Sequence, residues 1–258
     1  MSIVLEGGCF VSDWRENPTV VSGTLSERKV IGKSTGAQAI SLRVLEFAQG
    51  LSPGLRATDS DDVLYFLESA NNSGDYACDI FVNGRIHRVA PQTGIYLRPG
   101  ETLTVRNQSK MPAVFVSCQC PESSTSVIVD SMTEPATAIK DRDTPLIRLA
   151  DREAIPTADR WYRVLVDDEI GSEQVTQFVG SIPPGRAPDH FHTYEEVLFI
   201  LRGEGRMWAG QTSTPIGPGS CIYLPKRQVH CVENTGTGEL RLLGVFYPAG
   251  SPAERYEA

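Results

Sequence analysis

No run of 18 consecutive apolar residues occurs in the 258-residue chain, so no segment reads as a membrane-spanning helix. Positive charge is in deficit. Against 32 Asp and Glu stand 24 Lys and Arg, giving a formal charge of −8, and a broad surface for nucleic acid or an anionic membrane is not expected. Cysteine is sparse: Cys9, Cys78, Cys118, Cys120, Cys221 and Cys231 are too few and too scattered for a disulfide framework. Cys118 and Cys120 lack the CxxC spacing of redox or zinc motifs, so buried free thiols are expected. The start, MSIVLEGGCFVSDW, has no basic leader, apolar core or cleavage site, which suggests a cytoplasmic protein. No P-loop or GxGxxG is present, and the GEGR turn at 203–206 is too short for one. Long amphipathic helical patterns are nearly missing; the best helical candidate is the short segment around 148–155. Histidine is rarest in proportion to its importance: there are four, and His190, His192 and His230 fall in two short stretches.

The composition that remains is that of a globular protein, with 40% hydrophobic and 22% charged residues. The length allows one large domain or two smaller ones. Short apolar runs rich in β-branched and aromatic residues alternate with Gly and Pro turns. VLYFLES (63–69), DIFVNG (79–84), GIYLRPG (94–100), TLTVRN (102–107) and AVFVSCQ (113–119) read as strands. QVTQFVGSI (174–182), EVLFILRG (196–203), GRMWAG (205–210), SCIYLP (220–225) and LRLLGVFYP (240–248) read the same way. Many short strands at such intervals imply an all-β sandwich or barrel.

The pattern occurs twice. RVLEFAQGLSPGLRATDSDDVLYFLES in the first half resembles EQVTQFVGSIPPGRAPDHFHTYEEVLFILRG in the second, and IYLRPGETLTVRN (95–107) aligns without a gap on IYLPKRQVHCVEN (222–234). This alignment matches Phe47 to Phe178 and Pro53-Gly54 to Pro184-Gly185. The expected division is an arm or added edge strand at 1–38, a first unit at 39–121, a linker at 122–150, a second unit at 151–250 and a tail at 251–258.

In the second unit, His190, His192 and Glu196 share parity and so would point to one face of an extended strand. His230 comes from a later strand, after the Pro225 turn, and can close on the same point. Three neutral imidazoles and one carboxylate suit a divalent first-row metal with one or two positions left open. These residues resemble the two motifs of the cupin superfamily. The first stands here as Gly185, four residues, His190-Phe-His192, three residues, Glu196, six residues, Gly203. The second stands as Gly219, five residues, Pro225-Lys-Arg227, two residues, His230, three residues, Asn234. The 185–190 gap is one residue short, and Arg227 replaces a turn glycine, but neither departure touches a ligand.

The resemblance implies two tandem jelly-roll barrels of the cupin type, with the metal motifs intact only in the second. It implies iron, manganese or nickel, with zinc also suited, and a metal-dependent enzyme acting on a small organic substrate, foremost by dioxygenase-type cleavage. A hydrolase or isomerase is one alternative. Ureidoglycine aminohydrolases share the two-copy layout, but their Glu-x-His, three residues, His, then Gln ligand pattern differs at three of four positions here. A ligand-binding protein without turnover is the other. Leu198 and Ile200 share the parity of Glu196 and are expected in the pocket. Gln177, polar in an apolar strand, is expected in a buried hydrogen-bonding role, structural or toward substrate. The first copy, with Asp62 at the Glu196 position and Leu103 at the His230 position, is expected to be structural. His87 is expected on a surface hairpin. Cupin-like barrels commonly pair through edge strands, so a homodimer is expected.

Overall fold

A computed structural model describes residues 2–67, 77–123, 127–135, 145–254 and 256–257. Residues 68–69 of the predicted strand 63–69, and 124–126 and 136–144 of the predicted linker, lie outside these. The described residues form antiparallel sheets joined by turns and 3-10 segments, including one at Leu149–Asp151 where a short helix is expected. Among them, no helix is long and apolar enough to cross a membrane.

Each half is a barrel of two facing sheets. In the first, a seven-stranded sheet centred on Asp61–Phe66, Ala113–Cys120 and Leu42–Phe47 faces a six-stranded sheet built around Thr102–Asn107. In the second, an eight-stranded sheet centred on Glu195–Arg202, Leu240–Tyr247 and Thr176–Ile182 faces a six-stranded sheet built around His230–Asn234. The two larger sheets lie back to back. Strand alternation then sorts every side chain. On Glu195–Arg202, Leu198 and Ile200 enter the interior of the second barrel, whereas Val197 and Phe199 enter the core shared by both. Leu64 and Phe66 fill the first barrel, while Val63 and Tyr65 join that shared core. Burial on both faces explains why these strands read as near-continuous apolar runs.

The ladder registers give the correspondence between the halves. Asp62 pairs with Gln119, and Ser117 with Arg43; Glu196 pairs with Phe246, and Gly244 with Phe178. Hence Arg43, not Phe47, occupies the position of Phe178, and Phe47 matches Ile182. Gly50 pairs with Asn107 as Gly185 pairs with Asn234, so Gly50 rather than Pro53-Gly54 matches the motif glycine. The sequence alignment slips by four residues in this loop because Pro-Gly recurs there without a structural equivalent. Beyond the loop the match is close. Asn107 Nδ2 donates to the carbonyls of Phe47 (2.9 Å) and Met111 (2.7 Å), and Asn234 Nδ2 to those of Ile182 (2.8 Å) and Gly238 (2.7 Å).

The segments read as arm and linker carry strands that cross between the halves. Phe10–Asp13 pairs with Ser220–Leu224 of the second barrel, and Leu146–Arg148 pairs with Thr93–Leu97 of the first. Each barrel thus receives the strand that precedes the other. Val127–Val129, also within the predicted linker, pairs with Gly54–Arg56.

A buried carboxylate fastens the two halves. Glu195 is fully buried on the shared face, and its oxygens accept from the backbone N–H groups of Gln38 (2.7 Å), Ala39 (2.8 Å) and Ile40 (3.3 Å) and from the Tyr223 hydroxyl (2.5 Å). The equivalent first-barrel pair is Asp61 and Tyr96, whose hydroxyl donates to the carboxylate at 2.7 Å and lies 3.3 Å from the Gly171 carbonyl. Glu195→Ala strands several buried donors at once. A loss of roughly 3 kcal/mol is expected in chemical denaturation, and Glu195→Gln, which keeps an accepting oxygen, should lose less.

Candidate metal centre

His190 lies on the short strand His190–Phe191, His192 follows it, Glu196 begins the inward register of Glu195–Arg202, and His230 opens His230–Asn234. Direct pairing of His190 with His230 brings the two motifs together. The Arg227 N–H also donates to the His192 carbonyl at 2.7 Å. Arg227 itself is exposed and adopts φ 63°, the left-handed conformation that favours the motif glycine it replaces. One nitrogen from each of the three histidines lies within 4.8 Å of the others. The carboxylate joins them: Glu196 Oε2 lies 3.8 Å from His192 Nε2 and 3.5 Å from His230 Nε2. The predicted quartet is therefore gathered at one point, with His192, Glu196 and His230 buried and His190 half-buried.

Each ring is oriented from behind. The Nδ1 atoms of His190, His192 and His230 lie 3.1, 2.8 and 2.8 Å from the carbonyls of Pro188, Glu254 and Gln228. A carbonyl only accepts, so each Nδ1 carries the hydrogen and each Nε2 presents a lone pair. This arrangement fixes metal-ligand tautomers.

Electrostatics agree with a cation between these groups. Burial pushes the Glu196 carboxyl up to about 8, and its Oε2 is buried without a hydrogen-bond partner. Burial, then the neighbouring His190, pushes His230 down to about 3, leaving it neutral. A dry carboxylate beside neutral imidazoles is costly as it stands and favourable once a divalent ion is present. The residues fit a metal.

Of the other predicted pocket residues, Leu198 lines the cavity. Ile200 packs deeper in the barrel core and does not reach it. Gln177 is a correction: it is fully buried, but on the face between the barrels, where its Oε1 crowds Gly94 of the first barrel. It has the parity of Val179 rather than of Phe178, and no hydrogen bond satisfies its amide. Phe178, Phe246 and Tyr162, which line the cavity, were not singled out from the sequence. The parity of Phe178 with the interior was the signal available. Gly244 accommodates that ring, for a Cβ there would lie 2.3 Å from Phe178 Cζ. Tail residues also belong to the site. Tyr256 and Glu257 pair with Phe191 and His190, Ser251 accepts from the Tyr194 hydroxyl at 2.8 Å, and Pro252 lines the cavity.

Among the described residues, the first barrel contains no such site. Leu55, Ala57 and Leu103 stand in the register of His190, His192 and His230. Asp62 at the Glu196 position is matched by a guanidinium: Arg43 Nη2 donates to it at 2.7 Å and Arg43 Nη1 to Glu27 at 3.2 Å, and Ser117 donates to it at 2.6 Å. His87 lies half-exposed on the hairpin strand Arg85–Val89 of this barrel. All six cysteines are buried and unbridged. Cys231 points away from the face of His230 and accepts from Arg186 Nε at 3.2 Å.

A cupin domain profile matches residues 178–246. Auxin-binding protein 1 of Arabidopsis thaliana is 31% identical over 86 residues, which are 30% of this chain and 43% of that protein. An uncharacterized protein of Methanocaldococcus jannaschii is 35% identical over 57 residues, 22% of this chain and 46% of the other. The chain thus matches less than half the length of either relative. Among solved structures, Bacillus subtilis oxalate decarboxylase, described with Mn(II) centres, superposes with a TM-score of 0.73 at 13% identity. That match covers 93% of this chain and 78% of the other. A second oxalate decarboxylase structure, from work on its substrate binding mode, matches with the same score, identity and coverage.

Truncation after Gly250 removes the carbonyl that holds His192 Nδ1. A fall of roughly 10–100-fold in metal affinity is expected, read by chelator competition, with the circular dichroism of the barrels retained. In the first barrel, Arg43→Met leaves Asp62 buried and unpaired; a loss of about 3–5 kcal/mol is expected in denaturant unfolding, largely recovered in Arg43→Met/Asp62→Leu.

Proposed function

The fold is that of a two-barrel cupin protein, and from it we propose that the chain is a metal-dependent enzyme, foremost a dioxygenase cleaving a small organic substrate. The observation that carries this reading is the unpartnered Oε2 of Glu196 facing the Nε2 atoms of His192 and His230, with His190 beside them. His190, His192, Glu196 and His230 would hold one divalent ion, iron, manganese or nickel, zinc being suited as well. Such an ion supplies Lewis acidity and, for iron or nickel, a centre at which oxygen and substrate meet.

The chain's own residues do the remainder. The backbone carbonyls of Pro188, Gln228 and Glu254 hold the three rings in donor geometry. Phe178, Leu198 and Phe246 keep the space beside the ligands dry. Beyond the four ligands, the described lining contains no carboxylate, imidazole, thiol or lysine. The Tyr162 hydroxyl is the candidate acid or base in that lining, and the chemistry is centred on the metal. The first barrel, its cation position filled by Arg43, serves as support. Val20 and Val21, exposed on the edge strand Val20–Ser22, offer a surface for a homodimer.

Metal analysis of protein purified without added metal is expected to give one ion per chain. Iron- or nickel-loaded protein is expected to consume oxygen with a member of a panel of small diketones, catechols and 2-oxo acids. His192→Ala should lose both the ion and the uptake. A fully active His192→Ala, or a loaded protein inert toward the panel, contradicts the reading.

A further inference from the structure

The metal cavity is mostly apolar; besides the ligands, its polar groups come from Thr157, Arg160, Trp161, Tyr162 and Ser181. Phe178, Leu198, Val232, Leu242 and Phe246 form its wall. Phe246 packs against Phe178, Tyr194 and His192, with ring centroids 4.9, 4.4 and 5.4 Å away. Arg160 is the only lysine or arginine among the described lining residues, and its Nε already donates to Asp159 at 3.0 Å. The Ser181 hydroxyl is likewise committed, donating to Glu239 at 2.5 Å. The cavity, open on one side, offers about 90 Å³, less than the roughly 150 Å³ that holds a benzene ring.

Charge and size together select a ligand. A divalent ion with three neutral imidazoles and one carboxylate keeps a net charge of +1. A monoanionic oxygen donor neutralises it; a dianion such as a dicarboxylate would leave a net negative charge in a largely apolar wall, where the one other cation, Arg160, already has its charge paired with Asp159. The rest of the ligand must then be apolar, and short. We infer that this site takes a short-chain monoanion, a carboxylate or enolate head on the metal carrying an apolar body of about three to five carbons. The oxygen head faces the histidines, and the body lies against Phe178, Leu198, Leu242 and Phe246. This inference rests on the proposed metal centre and separates the chain from the oxalate decarboxylases whose fold it shares.

The test uses full-length protein loaded with Co(II) and reads the visible absorption of the ion under titration with acetate, propionate, butyrate, isovalerate, oxalate and malonate. Affinity is expected to rise about fourfold with each methylene from acetate to butyrate, with both dicarboxylates binding more weakly than butyrate. Leu242→Asn should flatten the series while leaving acetate affinity within about twofold, because the methylenes rather than the head meet that side chain. A flat series in the unsubstituted protein, or tighter binding of oxalate or malonate than of butyrate, overturns the inference. Oxygen uptake is measured separately. A graded series without uptake on any substrate removes the dioxygenase reading and leaves the ligand class; turnover of oxalate removes the ligand class and leaves the metal centre.

Discussion

A carboxylate held in a dry barrel must have a cation, and the interior of this molecule is arranged around that need. The same ladder position carries an acid in both halves, Asp62 in the first and Glu196 in the second. In the first barrel, Arg43 brings a guanidinium to it from the neighbouring strand, and Leu55, Ala57 and Leu103 close the space with hydrocarbon. In the second, Phe178 stands where Arg43 would, and three imidazoles replace the hydrocarbon. Glu196 is left with an oxygen that no protein group satisfies. One barrel carries its cation as a side chain; the other leaves the place for an ion.

The contact between the barrels depends on a related constraint. Strands buried on both faces have no polar side to give to water, so polar groups on the shared face are driven to partners across the interface, Gln177 being an exception whose amide has no hydrogen bond. Glu195 does so by taking up the N–H groups of residues 38–40, and the exchange of Phe10–Asp13 and Leu146–Arg148 ties the halves in both directions. Adjacent glutamates on one strand therefore do unrelated work. Alternation sends Glu195 to the interface and Glu196 to the site.

Much of the metal centre was legible in the chain. The spacing of the two motifs carried it; strand parity did not, for the chain turns at 192–194 and places His190–Phe191 and Glu195–Arg202 in the two facing sheets, where the pairing of His190 with His230 completes the group. The surrounding wall was less legible. Gln177 drew notice as a polar residue in an apolar strand, but polarity does not say which face of a doubly buried strand a residue occupies. Phe178, its apolar neighbour, is the one in the cavity. The repeat alignment slipped at Phe47 because Pro-Gly recurs at places whose pairing differs: Gly54 pairs with Val129, whereas Gly185 pairs with Asn234, the partner position that Gly50 holds in the first barrel.

The sequence by itself determined that the protein is all-β, that it is built from two copies of one unit, and that the second copy alone brings together three histidines and a glutamate. These follow from periodicity and spacing, which act over a few residues. Tertiary structure alone decided how the flanking segments pair: Phe10–Asp13 joins the second barrel, and Leu25–Ile31, Val127–Val129 and Leu146–Arg148 join the first. It decided that Arg43 meets the buried acid of the first barrel, that Glu254 holds His192, and that Tyr256–Glu257 pairs alongside His190 and Phe191. Each of these joins residues far apart in the chain by a contact with no local periodicity, so only the packed sheets bring the partners into register.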